Sequence, residues 1–324
     1  MNVKIIASYI ISIIIIAGIF LFVDVNEVAG NVLGFGMLHF LALMLLVVIT
    51  FALRAVLWRE LLRPFAAVSL TDSFHINNIG FLVNNILPLR IGEIAKAVLV
   101  GRKYSIGKVR AFSTVVVNRI LEGAVLVLFF IAGIILAPTV SDEIKRIMIV
   151  PALLFLLMLV LFIFPHIFLR VAGKIIRGIS AGIYERTRKF IEDIVMGEKA
   201  FRQGIIPNVA IALSAVAVWA VVAGIYYLAL ARFGIPVGLG ELLIITAFTS
   251  LVTIIPSAPG FIGTFQAGFI FLFIAMGLGA EEATAVSVVI HLAFFVTTTI
   301  LGMASMHLTG MKIGEVAGIG KGGK

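Results

Sequence analysis

Six runs of about 20 consecutive apolar residues constrain this 324-residue chain more than any other feature. They cover residues 5–23, 33–52, 112–137, 147–169, 206–230 and 284–308. A helix of this length crosses the hydrocarbon core of a bilayer. Because 62% of the residues are hydrophobic and only 13% are charged, a soluble globular domain is excluded. The composition therefore predicts an all-α polytopic membrane protein with six full spans.

Two further apolar regions, 70–101 and 241–280, are interrupted by proline. Proline lacks an N–H and clashes with the preceding turn, so a helix in the first region should stop near Leu87 and restart at or after Pro88. Three ionisable residues follow at once, namely Arg90, Glu93 and Lys96. Each charge costs roughly 2.5–3.5 kcal/mol at membrane depth and needs a partner or water. Broken helices beside such groups are typical of substrate sites in transporters.

The distribution of basic residues predicts how these two regions cross the membrane. With the N-terminus in the cytoplasm, 19 Lys and Arg residues lie inside and three lie outside. This asymmetry requires 70–101 to enter and leave on the cytoplasmic face and 241–280 to do so on the outer face. Both regions are therefore predicted to be re-entrant helical hairpins in a multi-pass protein of the cytoplasmic membrane, with both termini cytoplasmic.

The two proline-broken regions also resemble each other in sequence. Residues 88–93, PLRIGE, align with residues 259–264, PGFIGT, at an offset of 171. We therefore predict an inverted repeat, in which residues 1–138 form the first half, 139–308 the second half and 309–324 a cytoplasmic tail. Apolar and basic residues in 172–205 favour an amphipathic helix on the cytoplasmic leaflet, with a plain basic loop as the alternative.

Charged residues near the first proline break are the strongest candidates for a site. Arg90 and Glu93 are spaced to share a helix face, and Arg119 and Glu122 repeat that spacing in the next span. In the functional interpretation, the two guanidinium groups bind a phosphate while the two carboxylates hold them in place. The alternative is that Arg119 and Glu122 neutralise each other or clamp the span to the hairpin. A restarted helix would add unpaired N–H groups for the same anion.

The remaining candidates are polar or small. Asn84 and Asn85 are either substrate contacts or caps of the broken helix. The second hairpin contributes Ser257, Gly260, Gly263 and Thr264, where glycine permits close approach of backbone or ligand. His291 in the last span is expected to bond a neighbouring carbonyl, and Arg54 near a span end is expected to snorkel. Five scattered His and no Cys predict neither a metal nor a cofactor.

The chain carries three ordered motifs, NNILPLRIGE at 84–93, NRILE at 118–122 and PSAPGFIGT at 256–264. Together they resemble the flippase-like membrane region of lysylphosphatidylglycerol synthases. The resemblance covers nearly the whole chain. It implies that the chain moves a lipid between leaflets. It also implies that the chain is one of the stand-alone members of the family, which are of about this size. Because the chain ends soon after the last span, we expect no aminoacyl-transferase domain and no enzymatic activity.

Several functions remain open from the sequence. The leading hypothesis is a flippase-like translocator of a phospholipid or a polyisoprenyl-phosphate lipid. The alternatives are an intramembrane lipid-phosphate enzyme, an ion-coupled transporter of small solutes with Glu93 and Glu122 as coupling sites, and a scaffold for a partner synthase. No nucleic-acid partner is expected, and a separate lipid-modifying enzyme and an oligomer remain open.

Overall fold

The computed structural model describes residues 23–88, 90–137, 203–253 and 259–311, together with isolated positions outside these ranges. Within these ranges every regular element is helical and no strand is present. The predicted spans 5–23 and 147–169, the segment 172–205 and the tail 309–324 lie wholly or mostly outside them.

The described elements are nine α-helices and one 3-10 turn. They are α1 (Val25–Gly34), α2 (Met37–Leu62), α3 (Leu70–Ile86), α4 (Ile91–Lys103), α5 (Lys108–Leu136), α6 (Ile205–Arg232), α7 (Leu239–Val252), the 3-10 turn Pro259–Phe261, α8 (Thr264–Ala275) and α9 (Ala280–Thr309). Four of these helices, α2, α5, α6 and α9, have 26 to 30 residues and are apolar enough to cross a bilayer. The protein is thus an all-helical, multi-pass membrane protein.

The second predicted span is displaced along the chain in the structure. It was expected at 33–52, but α1 ends before Gly36, which has a φ of +89°, and α2 then runs from Met37 to Leu62. The helix continues past Arg54 because this side chain is buried and ion-paired inside the protein. The expectation that Arg54 snorkels to the membrane surface is therefore wrong.

The predicted break at Pro88 is confirmed. Helix α3 ends at Ile86, Leu87 is extended, and α4 begins at Ile91. The two helices are antiparallel, because the Tyr104 hydroxyl donates to Asp72 at a distance of 2.5 Å near their outer ends. We call this pair, α3 and α4, the first hairpin.

Glycine allows the two helices of the first hairpin to touch. A Cβ built on Gly92 would lie 1.8 Å from the carbonyl oxygen of Gly80, and one on Gly80 would lie 2.3 Å from Cγ of Lys96. At the same crossing, the amide of Gly92 donates to the side-chain oxygen of Asn84 at 2.8 Å. The crossing therefore requires the small residues that the sequence supplies.

Helices α7 and α8 form a second hairpin around the Pro259–Phe261 turn. Phe248 on α7 stacks on Phe271 of α8 with ring centroids 6.0 Å apart. Nearer the turn, a Cβ on Gly268 would lie 2.9 Å from Val252. The two helices are thus antiparallel, and the predicted proline break of this region is also present.

The two hairpins enter the helix bundle from opposite ends. At one end, His75 of the first hairpin lies 3.0 Å from Ser305 near the end of α9. At the other end, the start of the second hairpin packs against the end of α5, where Gly240 contacts Ala137. The tips of both hairpins meet in the middle of the bundle, where a guanidinium nitrogen of Arg90 donates to the carbonyl oxygen of Thr253.

Candidate functional site

Five ionisable side chains from three helices form a largely buried charge cluster between the first hairpin, α2 and α5. Its members are Arg54 of α2, Glu93 and Lys96 of α4, and Arg119 and Glu122 of α5. Glu122 accepts from Arg54 at 2.5 Å and from Arg119 at 2.8 Å. Glu93 pairs with Lys96 at 2.9 Å and also with Arg119. Each carboxylate is therefore shared by two cations, and the pairs tie α2, α4 and α5 together.

Lys96 is the most deeply buried cation of the cluster, with 1% of its surface exposed. Its ammonium also donates to the side-chain oxygen of Asn77 at 3.2 Å. The nitrogen lies 5.4 Å from the Trp58 ring centroid and 5.5 Å from that of Phe81. Aromatic faces thus complement the ion pair with Glu93 in stabilising a charge that has no access to water.

Phe81 of α3 has three cations around its ring. In addition to Lys96, the guanidinium carbons of Arg54 and Arg119 lie 5.7 and 5.9 Å from its centroid. The same ring packs edge-on against Phe51 at 4.6 Å. Phe81 therefore separates the charge cluster from the aromatic region on its other side.

Arg90 stands apart from the charge cluster. It precedes α4 in the left-handed conformation, with a φ of +53°. A terminal nitrogen donates to the carbonyl oxygen of Thr253 at 2.5 Å and to its hydroxyl at 3.2 Å. The guanidinium carbon lies 4.9 Å from the Phe261 ring centroid. Nε is buried and has no hydrogen-bond partner among the described residues.

The expected pairing of Arg90 with Glu93 is wrong. Helical spacing would place the two side chains on one face, but Arg90 lies before the first helical residue and its left-handed backbone directs the side chain to the second hairpin. Glu93 instead pairs with Lys96 and Arg119. Consequently the Arg90 guanidinium is held by a carbonyl, a hydroxyl and a ring, none of which carries a negative charge.

The hairpin tips line a central cavity of about 150 Å³ together with α2, α3, α6 and α9. Eight aromatic rings line it: Phe51, Phe81, Trp219, Tyr226, Phe261, Phe265, Phe294 and Phe295. The polar side chains that line it are those of Arg54, Asn85, Ser250, Thr253, His291 and Thr298. The cavity is thus largely apolar, with guanidinium groups at its border, an arrangement suited to a ligand that combines an anion with an apolar part.

The two predicted asparagines have different positions. Asn85 lines the central cavity and donates to the hydroxyls of Thr298 at 2.8 Å and Thr299 at 3.0 Å. Asn84 is buried, and its side chain accepts from the amide of Gly92 in the broken backbone. Of the two roles considered for this pair, the geometry therefore gives Asn84 the cap and leaves Asn85 at the cavity.

The predicted residues of the second hairpin lie at or beside its tip. Gly260 lines the central cavity and has a φ of +65°. The amide of Gly263 donates to the Gln266 side chain at 2.9 Å, and the hydroxyl of the buried Thr264 donates to the carbonyl oxygen of Phe261. Gly263 and Thr264 therefore stabilise the backbone at the tip of the second hairpin. Ser257 lies outside the described residues.

His291 bonds a neighbouring carbonyl, as expected. Nε2 donates to the carbonyl oxygen of Gly260 at 2.7 Å, and Nδ1 accepts from the Gln266 amide at 2.6 Å. This pair of bonds assigns the proton to Nε2. The histidine also borders the central cavity and fixes the second hairpin to α9.

Sequence reasoning missed three residues that build the site: Arg54, Phe81 and Trp219. The guanidinium carbon of Arg54 lies 5.4 Å from the Trp219 ring centroid. A signal existed for Arg54, because apolar residues continue beyond it from Ala55 to Trp58. With 26 Phe in the chain, no pattern could single out Phe81.

Four long apolar helices, two helical hairpins with meeting tips and a charged, aromatic cavity define the class as a polytopic membrane protein with an internal polar site. Residues 6–302 match the family described as the Lysylphosphatidylglycerol synthase TM region. The chain belongs to this family, and the resemblance carried by its three motifs is confirmed. Comparisons with curated proteins and with solved structures gave no match.

Proposed function

We propose that this protein is a flippase-like translocator, which moves a phosphate-bearing lipid between the leaflets of the cytoplasmic membrane. The observation that carries the proposal is the guanidinium of Arg90 at the meeting point of the two hairpin tips, without an anionic partner among the described residues. A lipid phosphate is a suitable partner, since the planar fork of arginine matches phosphate oxygens. Membership of the Lysylphosphatidylglycerol synthase TM region family supports the same reading.

The proposed topology places both hairpins as re-entrant elements of an inverted repeat. The helices of the first set, α2 to α5, begin at residues 37, 70, 91 and 108, and those of the second set, α6 to α9, at 205, 239, 264 and 280. Partners are therefore 168 to 173 residues apart, close to the offset of 171 between the proline motifs. Hairpins that enter the bundle from opposite ends are what an inverted repeat requires. Both termini are then cytoplasmic.

In this proposal the central cavity is the headgroup site, while the lipid chains stay in the surrounding bilayer. Movement of one hairpin tip relative to the other would open the cavity to one leaflet and then to the other. Arg90 is placed to couple that movement to the headgroup, because it belongs to the first hairpin and contacts Thr253 and Phe261 of the second. An entering phosphate would compete with Thr253 and Phe261 for the Arg90 guanidinium.

Two observations favour translocation over the alternative functions. The second-hairpin segment PSAPGFIGTFQAG contains neither Arg nor a carboxylate, which intramembrane phosphoryl chemistry would need. Glu93 and Glu122 are each held between two cations, so neither is placed to act as a free general base or to carry a coupling proton. A separate enzyme that makes the lipid remains a proposed partner.

The test is leaflet exchange in liposomes that contain the purified protein. Fluorescent phospholipids and a fluorescent polyisoprenyl phosphate are supplied in turn, with and without an ion gradient. We expect exchange of at least one of them to exceed that of protein-free liposomes, and mass spectrometry to find every lipid chemically unchanged. Release of inorganic phosphate or a new lipid species would contradict the proposal and favour an enzyme.

A further inference from the structure

The side chains around the hairpin tips carry an excess of positive charge. Four of them are cations and two are anions: Arg54, Arg90, Lys96 and Arg119 against Glu93 and Glu122. Among the described residues the site therefore has a net charge of +2. A net charge buried at this depth is costly unless a counter-charge joins it, because the interior and the bilayer screen poorly.

Part of this positive charge borders the central cavity. Arg54 lines the cavity directly, and Arg90 lies over Phe261, which lines it too. The Nε atoms of Arg90 and Arg119 are buried and have no hydrogen-bond partner among the described residues. The unpaired Nε of Arg90 does not depend on the charge count, and the two observations together indicate an anion that binds beside Arg90 in the working protein.

Several polar side chains of the cavity wall are already hydrogen-bonded to protein groups, whereas the buried indole N–H of Trp219 has no partner among the described residues. Asn85 donates to Thr298, and His291 bonds both Gly260 and Gln266. The rest of the wall is mainly aromatic. A headgroup with a sugar or an amine beyond its phosphate would find the Trp219 indole N–H and few other free partners there. Burial of an unpaired polar group is unfavourable.

We propose that the translocated lipid is a phosphomonoester, with a terminal phosphate that carries two negative charges and nothing polar beyond it. This inference rests on the proposed function and names its substrate class. Phosphatidate and polyprenyl phosphate share this chemistry. A phosphodiester headgroup such as that of phosphatidylglycerol supplies one negative charge and leaves the site at +1. A zwitterionic headgroup leaves it at +2.

A matched pair of ligands isolates the second charge. Dihexanoyl phosphatidate and dihexanoyl phosphatidylmethanol have the same chains and the same phosphate, and differ only in the methyl ester that removes one charge. Binding to the detergent-purified full chain is measured by calorimetry at pH 8, where the second ionisation of the phosphomonoester, with a pKa of about 6, is complete. We expect phosphatidate to bind about tenfold more tightly, from one additional charge near a partly desolvated cationic site.

The source of the phosphomonoester is distinguished in the same assay. Farnesyl phosphate represents the prenyl lipids and dihexanoyl phosphatidate the glycerolipids. Tighter binding of either one than of phosphatidylmethanol supports the phosphomonoester class and identifies the source. Equal binding of all three ligands, or tightest binding of phosphatidylmethanol, overturns the inference.

A protein variant with a matched control tests where the second charge is recognised. Arg90→Gln lowers the net charge of the site to +1 and should reduce the preference for phosphatidate over phosphatidylmethanol to about twofold or less. Arg102 on the same helix is exposed and outside the charge cluster, so Arg102→Gln should keep the full preference. If both variants lose the preference equally, it reflects general surface charge and the site assignment fails.

Failure of this inference is separable from failure of the proposed function. Leaflet exchange by the wild-type protein without preference for phosphomonoesters would overturn the substrate class and leave the translocator intact. Absence of exchange for every lipid, together with absence of binding, would overturn both.

Discussion

The decisive feature at the residue scale is that two carboxylates are each shared by two cations. Glu122 joins Arg54 of α2 to Arg119 of α5, and Glu93 joins Arg119 to Lys96 of α4. Removing one buried carboxylate therefore leaves two cations without full compensation. Arg90 differs from these residues because it pairs with no carboxylate. The paired residues stabilise the fold, whereas Arg90 is available for a ligand.

Glu122→Gln should destabilise the protein strongly. Loss of this carboxylate leaves the buried Arg54 without an ion pair among the described residues, and it leaves the partly exposed Arg119 with Glu93 alone. Breaking a buried pair costs about 3–5 kcal/mol. Thermal unfolding in detergent should show a clearly lowered Tm. Adding Arg54→Gln to the same chain removes one of the stranded charges and should recover much of the loss. A double variant as unstable as Glu122→Gln would contradict the shared pairing.

Arg90→Lys should impair translocation while the protein folds normally. Lysine keeps the charge but loses the bidentate fork, and a charge-assisted hydrogen bond contributes about 1.5–3 kcal/mol. We expect leaflet exchange to fall by roughly 10- to 100-fold with an unchanged Tm. Because Arg90 has no ion pair among the described residues, even Arg90→Ala should retain its yield. Exchange at the wild-type rate in Arg90→Lys would show that Arg90 is not a substrate contact.

The sequence was sufficient to find charged candidates but not to pair them. Arg119 and Glu122 pair as their spacing predicts, since both lie within one regular helix. Arg90 and Glu93 do not, because a helix start lies between them and the backbone of Arg90 is left-handed. Arg54 lies 68 residues from Glu122 in the chain, and a contact of this separation depends on the packing of helices, which no local pattern encodes.

At the scale of elements, the hairpins depend on glycine at their helix crossings. Gly92 and Gly80 place the backbones of α3 and α4 in contact, and Gly302 of α9 packs against Leu82 of α3 in the same way. The proline breaks were predictable because proline acts through local sterics. Which glycines lie at crossings was not predictable, because that depends on the partner helix.

Gly92→Ala should disrupt the first hairpin. Its Cβ would lie 1.8 Å from the Gly80 carbonyl oxygen and 2.6 Å from the Asn84 side chain, so the helices must separate. Overpacking costs about 1–3 kcal/mol, and a clash with backbone falls at the upper end of that range. Gly224→Ala in α6 is the matched control, since nothing lies within 4 Å of its Cβ. Equal thermal stability of the two variants would refute the close crossing.

At the scale of the whole molecule, the proposed inverted repeat requires the two hairpins to open to opposite faces of the membrane. The chain contains no cysteine, which makes single-cysteine labelling direct. Ala67, Arg102 and Pro236 are exposed positions near the open ends of the two hairpins. Cysteine at Ala67 or Arg102 should react with a membrane-impermeant reagent from the cytoplasmic side only, and cysteine at Pro236 from the outer side only. Labelling of Ala67 and Arg102 from opposite faces would make the region 70–101 a full span.

The four long apolar helices and the two proline breaks were accessible from the sequence, because bilayer thickness sets the length of a span and proline acts through local sterics. The central cavity was not accessible, since its aromatic wall comes from α2, α3, α6, α8, α9 and the Pro259–Phe261 turn, with residues from Phe51 to Phe295. In an apolar chain, aromatic residues that line a cavity are indistinguishable from those that pack in the core or face lipid.

The central claim is that a lipid headgroup passes through the cavity between the hairpin tips, and a reversible cross-link tests it most directly. The side chains of Asn85 and Thr298 are in contact at 2.8 Å in the wall of this cavity, so the double variant Asn85→Cys, Thr298→Cys is chosen to join the first hairpin to α9. Leaflet exchange is measured in liposomes before oxidation, after it and after reduction, with each single variant as a control. We predict that oxidation stops exchange in the double variant alone and that reduction restores it. Exchange that continues unchanged in the fully cross-linked protein would contradict the account.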